Sequence, residues 1–349
     1  MKIISAASAF PKNYYKQEIL MAALKNYWNG QLERPEFFTR LHSRTGVDGR
    51  HLALPMEAYY GLDTWGKQNK AWFQAAEELG SQALCRALSR AGVSAADIGA
   101  LLFVSITGVA SPTIDSRLVN RMGLSPNIKR MPIFGLGCVG GAAGIARAAD
   151  YVRAYPRQVA ALVSVETCSL TLQRDDLSVA NLISSGLFGD GGAAVLVAGE
   201  EVDGPGPRIV DTRSSFYPGT EDVMGWEITE KGFRIALSPQ VPEVIREHLG
   251  QDLDELLALH DLTRQSIGSW ILHTGGPKIL EATQAALGLR RSDLAASWEC
   301  LRKVGNLSSS SVLVVLEEFM MNRRPEPGSW SILAAMGPGF CSELVLLRW

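Results

Sequence analysis

The chain is poor in the features that mark several large protein classes. Only five of its 349 residues are cysteine and five are histidine, and no two cysteines are spaced C-x-x-C. An odd, unpaired cysteine set argues against a disulfide framework or a zinc ribbon and predicts a reduced, cytoplasmic protein. The net charge is only −2, so no overall field favours nucleic acid or an anionic membrane. No apolar run is long enough to span a bilayer. The opening Met1-Lys-Ile-Ile-Ser-Ala-Ala-Ser-Ala-Phe-Pro11 has too short an apolar stretch for a signal peptide and reads as a strand. What remains is 46% hydrophobic and 20% charged, with mean hydropathy +0.05. That describes a well-packed globular protein, long enough for two core-bearing units.

The most informative stretch runs from Met131 to Asp150. Met131 to Phe134 is an apolar run that predicts a buried strand. Glycines at 135, 137, 140 and 141 follow, and Ala143 to Ala154 predicts a helix with Ile145, Ala148, Ala149 and Val152 on one face. Cys138 sits in the turn. Free N–H groups and the positive end of the helix dipole are expected to favour its thiolate and make it nucleophilic. Two other readings fit the same residues. Gly135-Leu-Gly-Cys-Val-Gly140 matches the dinucleotide pattern G-x-G-x-x-G, with Glu166 downstream. Cys138 could equally be an inert buried thiol.

Around this stretch, Ala71 to Gly92 predicts a helix, its stripe formed by Ala76, Leu79, Ala83, Leu84, Ala87 and Leu88. Arg40, Arg44 and Arg50 lie near Gly46 and Gly49, with Lys67 and Lys70 beyond. They read either as a solvated face or as arginines converging on an anion site.

An internal repeat organises the rest. Asp97-Ile-Gly-Ala-Leu-Leu-Phe-Val104 resembles Ser266-Ile-Gly-Ser-Trp-Ile-Leu-His273. A helix ending in Gly123-Leu124 or Gly288-Leu289 follows each, then a small-residue turn at Gly137-Cys138 or Gly305-Asn306, then an apolar strand (159–165 or 330–335). Gly99 precedes Cys138 by 39 residues and Gly268 precedes Asn306 by 38. Cys138 and Asn306 are therefore expected at equivalent helix starts of two α/β halves, which should meet at the centre. The seam is expected in Asp203-Gly-Pro-Gly-Pro207, dividing the chain into 1–205 and 206–349.

His273 ends an apolar strand and is followed by Thr274-Gly-Gly-Pro277, at the kind of strand end that carries function in α/β sheets. His42, His51, His248 and His260 lack such a frame and read as structural. Asn306 alone could be an ordinary helix cap. Cys138, His273 and Asn306 together, each at a loop mouth of a duplicated unit, point to nucleophilic catalysis.

With those motifs in view, the chain resembles the type III polyketide synthases, the chalcone synthase family of the thiolase superfamily, over essentially its whole length. The resemblance rests on Gly137-Cys138, Leu187-Phe-Gly-Asp-Gly191, His273-Thr-Gly-Gly-Pro277, Gly305-Asn-Leu-Ser308 and Gly337-Pro-Gly339. It implies an α/β fold of two pseudo-symmetric halves in a layered αβαβα core. It assigns Cys138 as nucleophile, His273 and Asn306 as its catalytic partners, and Phe188 as a gatekeeper. Arg40 and Arg44 match coenzyme A contacts, a third basic position falling on Phe37. A second gatekeeper position falls on Ile235. Ile106, Cys168, Thr171, Gly337, Pro338 and Gly339 match cavity positions. The implied reaction loads an acyl-CoA on Cys138 and extends it with malonyl-CoA by decarboxylative condensation, without metal or cofactor, in a homodimer. Met224-Gly-Trp226 resembles the bacterial branch that makes alkylpyrones and alkylresorcinols from long-chain acyl-CoA. A FabH-like 3-ketoacyl-ACP synthase, a malonyl-only tetrahydroxynaphthalene-type synthase, a Cys-His-Asn hydrolase and a nicotinamide oxidoreductase are the competing expectations.

Overall fold

A computed structural model describes all of residues 1–349. In the first part of the chain, β1 is Lys2–Ala9, β2 Asn13–Lys16, α1 Gln17–Tyr27, α2 Pro35–Ser43 and β3 Gly49–Leu52. Next come α3 Trp65–Ala91, β4 Ile98–Val104, α4 Ile114–Met122, β5 Lys129–Ile133, α5 Gly140–Ala154 and β6 Val159–Thr167. Then follow α6 Val179–Leu187, β7 Asp190–Ala198, β8 Arg208–Phe216, β9 Met224–Thr229 and β10 Gly232–Leu237. The chain ends with α7 Val241–Ala258, β11 Ile267–Leu272, α8 Pro277–Leu287, α9 Ala295–Val304, α10 Ser311–Met321, β12 Trp330–Gly337 and β13 Cys341–Arg348.

Nine strands pair in the order β11-β12-β13-β8-β1-β7-β6-β4-β5. The run β1-β7-β6-β4 is repeated by β8-β13-β12-β11, and the two runs meet at the pairing of Lys2 with Arg208. The correspondence reaches single residues. The β4–β6 ladder slips register across Gly99, and the β11–β12 ladder slips across Gly268. Both α4 and α8 end on a left-handed glycine, Gly123 and Gly288, the conformation glycine adopts at helix ends without a Cβ clash.

Helices α5 and α10 lie between the two leaves. Ile145 and Val152 of α5 and Val312 and Leu316 of α10 share one core with Leu162 of β6, Leu333 of β12 and Val345 of β13. The outer face of the first leaf, with Val163 and Leu196, is covered by Leu79, Ala83 and Leu84 of α3. The outer face of the second, with Ile332 and Leu346, is covered by Leu249 and Leu253 of α7 and Leu280 of α8. This is the αβαβα layering, and it explains why β6 and β7 are buried along their whole lengths instead of alternating.

Two local expectations change. β5 forms the edge of the sheet and is half-exposed, with Phe134 beyond it 49% exposed, so the apolar run at 131–134 is not a buried strand. The second half has no counterpart of β5: α9 leads into Gly305-Asn306 where β5 leads into Gly137-Cys138. No helix is long and apolar enough to cross a membrane.

Candidate active site

Cys138 lies in a single tight helical turn, Gly137–Val139, immediately before α5. Gly135 and Gly137 both have positive φ (93° and 50°), which turns the chain sharply between β5 and the helix. The second half closes over this turn. A Cβ at Gly337 would stand 2.6 Å from Val139 N and 2.7 Å from Leu136 O, so only glycine admits that approach. The thiol is buried, and its Sγ lies 3.7 Å from Ser308 Oγ. The expected stabilisation of a thiolate by the helix start is overridden. Burial pushes the Cys138 thiol up to about 12, and the Glu166 charge adds to the rise, while Ser308 and Asn306 pull it back only in part. A helix terminus contributes about 0.3–1 kcal/mol at exposed sites, too little to outweigh desolvation of an anion.

His273 extends β11, its N–H donating to Ala334 O at 3.0 Å. The ring is buried, Nδ1 has no protein partner, and burial lowers the imidazole to about 4. Thiol and imidazole are thus each neutral near pH 7, and Cys138 is hydrogen-bonded to Ser308 rather than to His273.

Asn306 serves two neighbours at once. Its Oδ1 accepts from Ser308 N at 2.8 Å and from Ser311 Oγ at 3.4 Å, holding the start of α10. That orientation makes Nδ2 the donor end: it donates to Gly275 O at 3.3 Å in the loop after His273, which engages one of its two N–H groups. Its backbone forms a parallel bridge with Phe188: Asn306 N donates to Leu187 O, and Gly189 N donates to Asn306 O, both at 2.9 Å. The gatekeeper candidate and the amide candidate are therefore one rigid piece.

Several residues here were not singled out from the sequence in these roles. Glu166 is fully buried at the end of β6, accepting from Ile106 N and Thr107 Oγ1, each at 3.0 Å, and from Ser309 Oγ. Burial raises its carboxyl to about 7. Sealed in this way, it is not available to a ribose, and the dinucleotide reading of Gly135 to Gly140 loses its acidic partner. Arg50 is also buried, so it fits neither the solvated face nor the anion site that the sequence left open for it with Arg40 and Arg44. Its Nη1 donates to Phe188 O at 2.5 Å and its Nη2 to Ser185 O at 2.9 Å, capping the last turn of α6. Arg40 lies on α2 and Arg44 ends it, both facing solvent. An arginine side chain pointing inward is indistinguishable in sequence from one pointing out. Lys67 is paired with Asp63 at 2.8 Å.

Two cavities adjoin these elements. The larger, about 350 Å³, is lined by Phe188, Cys168 and Thr171 together with leucines of α1 and the 170–172 segment. The smaller, about 210 Å³, is lined by Ile106, Gly135, Pro338 and Gly339, beside the turn that bears Cys138. Ile235 lines neither, whereas Phe233, two residues earlier on β10, lines the smaller.

Residues 6–201 match the N-terminal domain of chalcone and stilbene synthases, and residues 208–349 match the C-terminal domain. The chain belongs to the chalcone and stilbene synthase family. Among family members, a 1,3,6,8-tetrahydroxynaphthalene synthase of Streptomyces peucetius is 48% identical over 99% of this chain and 93% of its own length. A phloroglucinol synthase of Pseudomonas fluorescens is 30% identical over 97% of each chain. The crystal structure of the tetrahydroxynaphthalene synthase of Streptomyces coelicolor superposes with a TM-score of 0.95 at 31% identity, covering 100% of this chain and 99% of the other. This chalcone and stilbene synthase homologue is a type III polyketide synthase, an acyltransferase of the condensing type with a thiolase-like fold.

Proposed function

We propose that this type III polyketide synthase uses malonyl-CoA as both starter and extender and forms a 1,3,6,8-tetrahydroxynaphthalene-type product. The 48% identity over nearly the full chain to a synthase of that name carries the proposal. The 210 Å³ cavity beside the Cys138 turn supports it by giving a compact chain room to fold.

In the proposed mechanism, the N-terminal half (1–205) supplies the nucleophile and the C-terminal half (206–349) supplies the imidazole and the amide. Cys138 gives its proton to His273 as it attacks the thioester carbon, so charge separates only when the acyl group is in place. Coenzyme A leaves as the thiol, taking that proton. His273 and Asn306 Nδ2 then donate to the thioester oxygen of the next malonyl-CoA. Loss of carbon dioxide sends an electron pair onto that oxygen, and the two donors stabilise the enolate. The enolate carbon attacks the acyl-Cys138 carbonyl and expels the thiolate, leaving a chain two carbons longer on coenzyme A. Phe188 limits water entry, and the solvent-facing Arg40 and Arg44 hold the coenzyme A phosphates. The working state is a cytoplasmic homodimer.

A second reading keeps long-chain acyl-CoA as starter, with alkylpyrone or alkylresorcinol products. It is favoured by the 350 Å³ apolar cavity against Cys168 and Thr171. A mixture of malonyl-CoA with C10–C16 acyl-CoA separates the two by product mass. A tetrahydroxynaphthalene-type product in the presence of the long starters is expected, and predominantly alkyl products would overturn the malonyl-only proposal.

A further inference from the structure

The bridge between Phe188 and Asn306 has a back as well as a face, and the side chain of Arg50 on β3 fills it. A Cβ at Gly305 would stand 3.1 Å from Arg50 Cδ and 3.2 Å from its Cγ, and one at Gly189 would stand 3.5 Å from its Cβ. Gly305 immediately precedes Asn306 and Gly189 immediately follows Phe188, so the arginine stem lies behind both strands of the bridge. The strands themselves meet at a distance only glycine admits. A Cβ at Gly305 would be 2.6 Å from Leu187 O, and one at Gly189 would overlap Val304 O. The guanidinium continues the contact, binding Phe188 O, which the bridge leaves unused, and Ser185 O one turn earlier.

Capping a helix end does not by itself account for this side chain. Water commonly satisfies the carbonyls of a helix end, whereas burying a cation carries a desolvation cost. Arg50 is only 3% exposed, and its Nε has no partner. Burial lowers its guanidinium to about 10 and the buried Asp190 opposes the fall, so the group is still charged near neutral pH. What its donors hold is the path of the backbone into Asn306. Phe188 is fixed from behind through its carbonyl, and two 2.9 Å hydrogen bonds, Asn306 N to Leu187 O and Gly189 N to Asn306 O, carry that position across. The Asn306 side chain adds little freedom of its own, because its Oδ1 is tied to Ser308 N at 2.8 Å. Where Nδ2 points is thus set by the main chain at 305–307 and by what backs it. A donor aimed at developing negative charge loses much of its effect when it is displaced.

We propose that Arg50 is a positioning residue for malonyl-CoA decarboxylation: acting through the Phe188–Asn306 bridge, it fixes where the Asn306 amide points. The inference rests on the donor role proposed for Asn306. A planar fork reaches two carbonyls at once, whereas an ammonium in its place is a single point donor and does the same in part.

The test uses the full-length enzyme as wild type, Arg50→Met, Arg50→Lys, Asn306→Ala and the double variant Arg50→Met with Asn306→Ala. Each is given malonyl-CoA, and two rates are read: carbon dioxide release, and acyl-enzyme formation by intact-protein mass. Arg50→Met keeps an unbranched stem and removes both donors. It is expected to slow decarboxylation by roughly 10–10²-fold, the cost of a misplaced group, and loading by far less. Arg50→Lys should show the same selectivity with a smaller loss. In the Asn306→Ala background, Arg50→Met should change decarboxylation by less than about twofold, because the group it positions is gone. Arg264→Gln is the control for a purely structural arginine, since Arg264 binds Gly250 O of α7 at 2.9 Å and Ala286 O of α8 at 3.0 Å. It should lower the melting temperature and leave the ratio of the two rates at the wild-type value.

Equal slowing of both half-reactions by Arg50→Met would overturn the inference. So would its full effect on decarboxylation persisting in the double variant, or an equal change of the ratio in Arg264→Gln. If Arg50→Met fails to fold, Arg50→Lys, alone and combined with Asn306→Ala, decides the matter by the same criteria. Asn306→Ala alone tests the donor role beneath. An unselective defect there overturns that role, whereas a selective defect there beside an unselective one in Arg50→Met overturns only the inference.

Discussion

The turn bearing Cys138 and the turn bearing Asn306 are copies of one unit that hold different side chains in different ways. Each follows a helix closed by a left-handed glycine and opens a helix between the two leaves. In the first copy the turn comes off an edge strand, and no side chain caps the helix that follows. In the second copy it comes off α9, and Asn306 spans the turn, with its amide oxygen holding Ser308 N and its Nδ2 donating to Gly275 O. The copies meet closely, since a Cβ on Gly141 of α5 would overlap the carbonyl oxygen of Ser309. Duplication thus places two helix starts face to face, and divergence leaves a buried thiol on one and a carboxamide on the other.

The comparison should break most completely at Cys138, the proposed nucleophile. Cys138→Ala should abolish acyl loading and turnover while leaving the melting temperature close to wild type, because alanine fits a turn already built of small residues. Full-rate product from this variant would remove Cys138 from the reaction. Without substrate, iodoacetamide should label Cys138 slowly at neutral pH and faster as pH rises toward the thiol's value of about 12. A flat labelling rate from pH 6 upward would mean that an ion pair with His273 is already formed.

The donor side should fail more selectively. Asn306→Ala is expected to slow malonyl-CoA decarboxylation by roughly 10²–10³, as for loss of one oxyanion donor, and loading by much less. The capping end adds a stability cost of about 1 kcal/mol, read as a lowered melting temperature. Equal slowing of both half-reactions would reduce Asn306 to its capping role.

Glu166 joins the halves through Ser309 of one and Ile106 and Thr107 of the other, and it tests the junction through pH. Burial raises its folded value from 4.5 to about 7, so the protonated carboxyl stabilises the fold fully below pH 4.5, and this contribution is lost as pH rises through about 7. The shift corresponds to roughly 3 kcal/mol. Glu166→Gln, which cannot ionise, should therefore gain stability relative to wild type between pH 4.5 and 7, as followed by denaturant titration. A difference that does not change with pH would show that Glu166 titrates normally. The smallest effect is expected at the contact itself. Gly141→Ala should cost about 1–3 kcal/mol from overpacking against Ser309, measured by thermal melting.

Much of the scaffold was legible in the sequence. The helix expected at 71–92 is Trp65–Ala91 capped by Gly92, and the strands expected at 159–165 and 330–335 are Val159–Thr167 and Trp330–Gly337. The repeat was visible because glycine at a bulge or helix end leaves a position-specific mark. The edge position of β5 was not, because an apolar strand half-covered at a sheet edge reads like a buried one.

What the sequence determined by itself was therefore whatever short-range geometry requires: the glycine-bounded turns, the duplicated order of elements, and the three loop mouths bearing Cys138, His273 and Asn306. Tertiary structure alone decided how those groups are charged. A helix start favours a thiolate, yet Cys138 rises to about 12 and His273 falls to about 4, because desolvation depends on every residue packed around them. It alone turned Arg50 inward to cap α6 while Arg40 and Arg44 stayed in solvent. It also put Phe233 and Trp226, rather than Ile235, on the cavity walls, since which side of a hairpin meets a cavity is set by elements that pack against it from far along the chain.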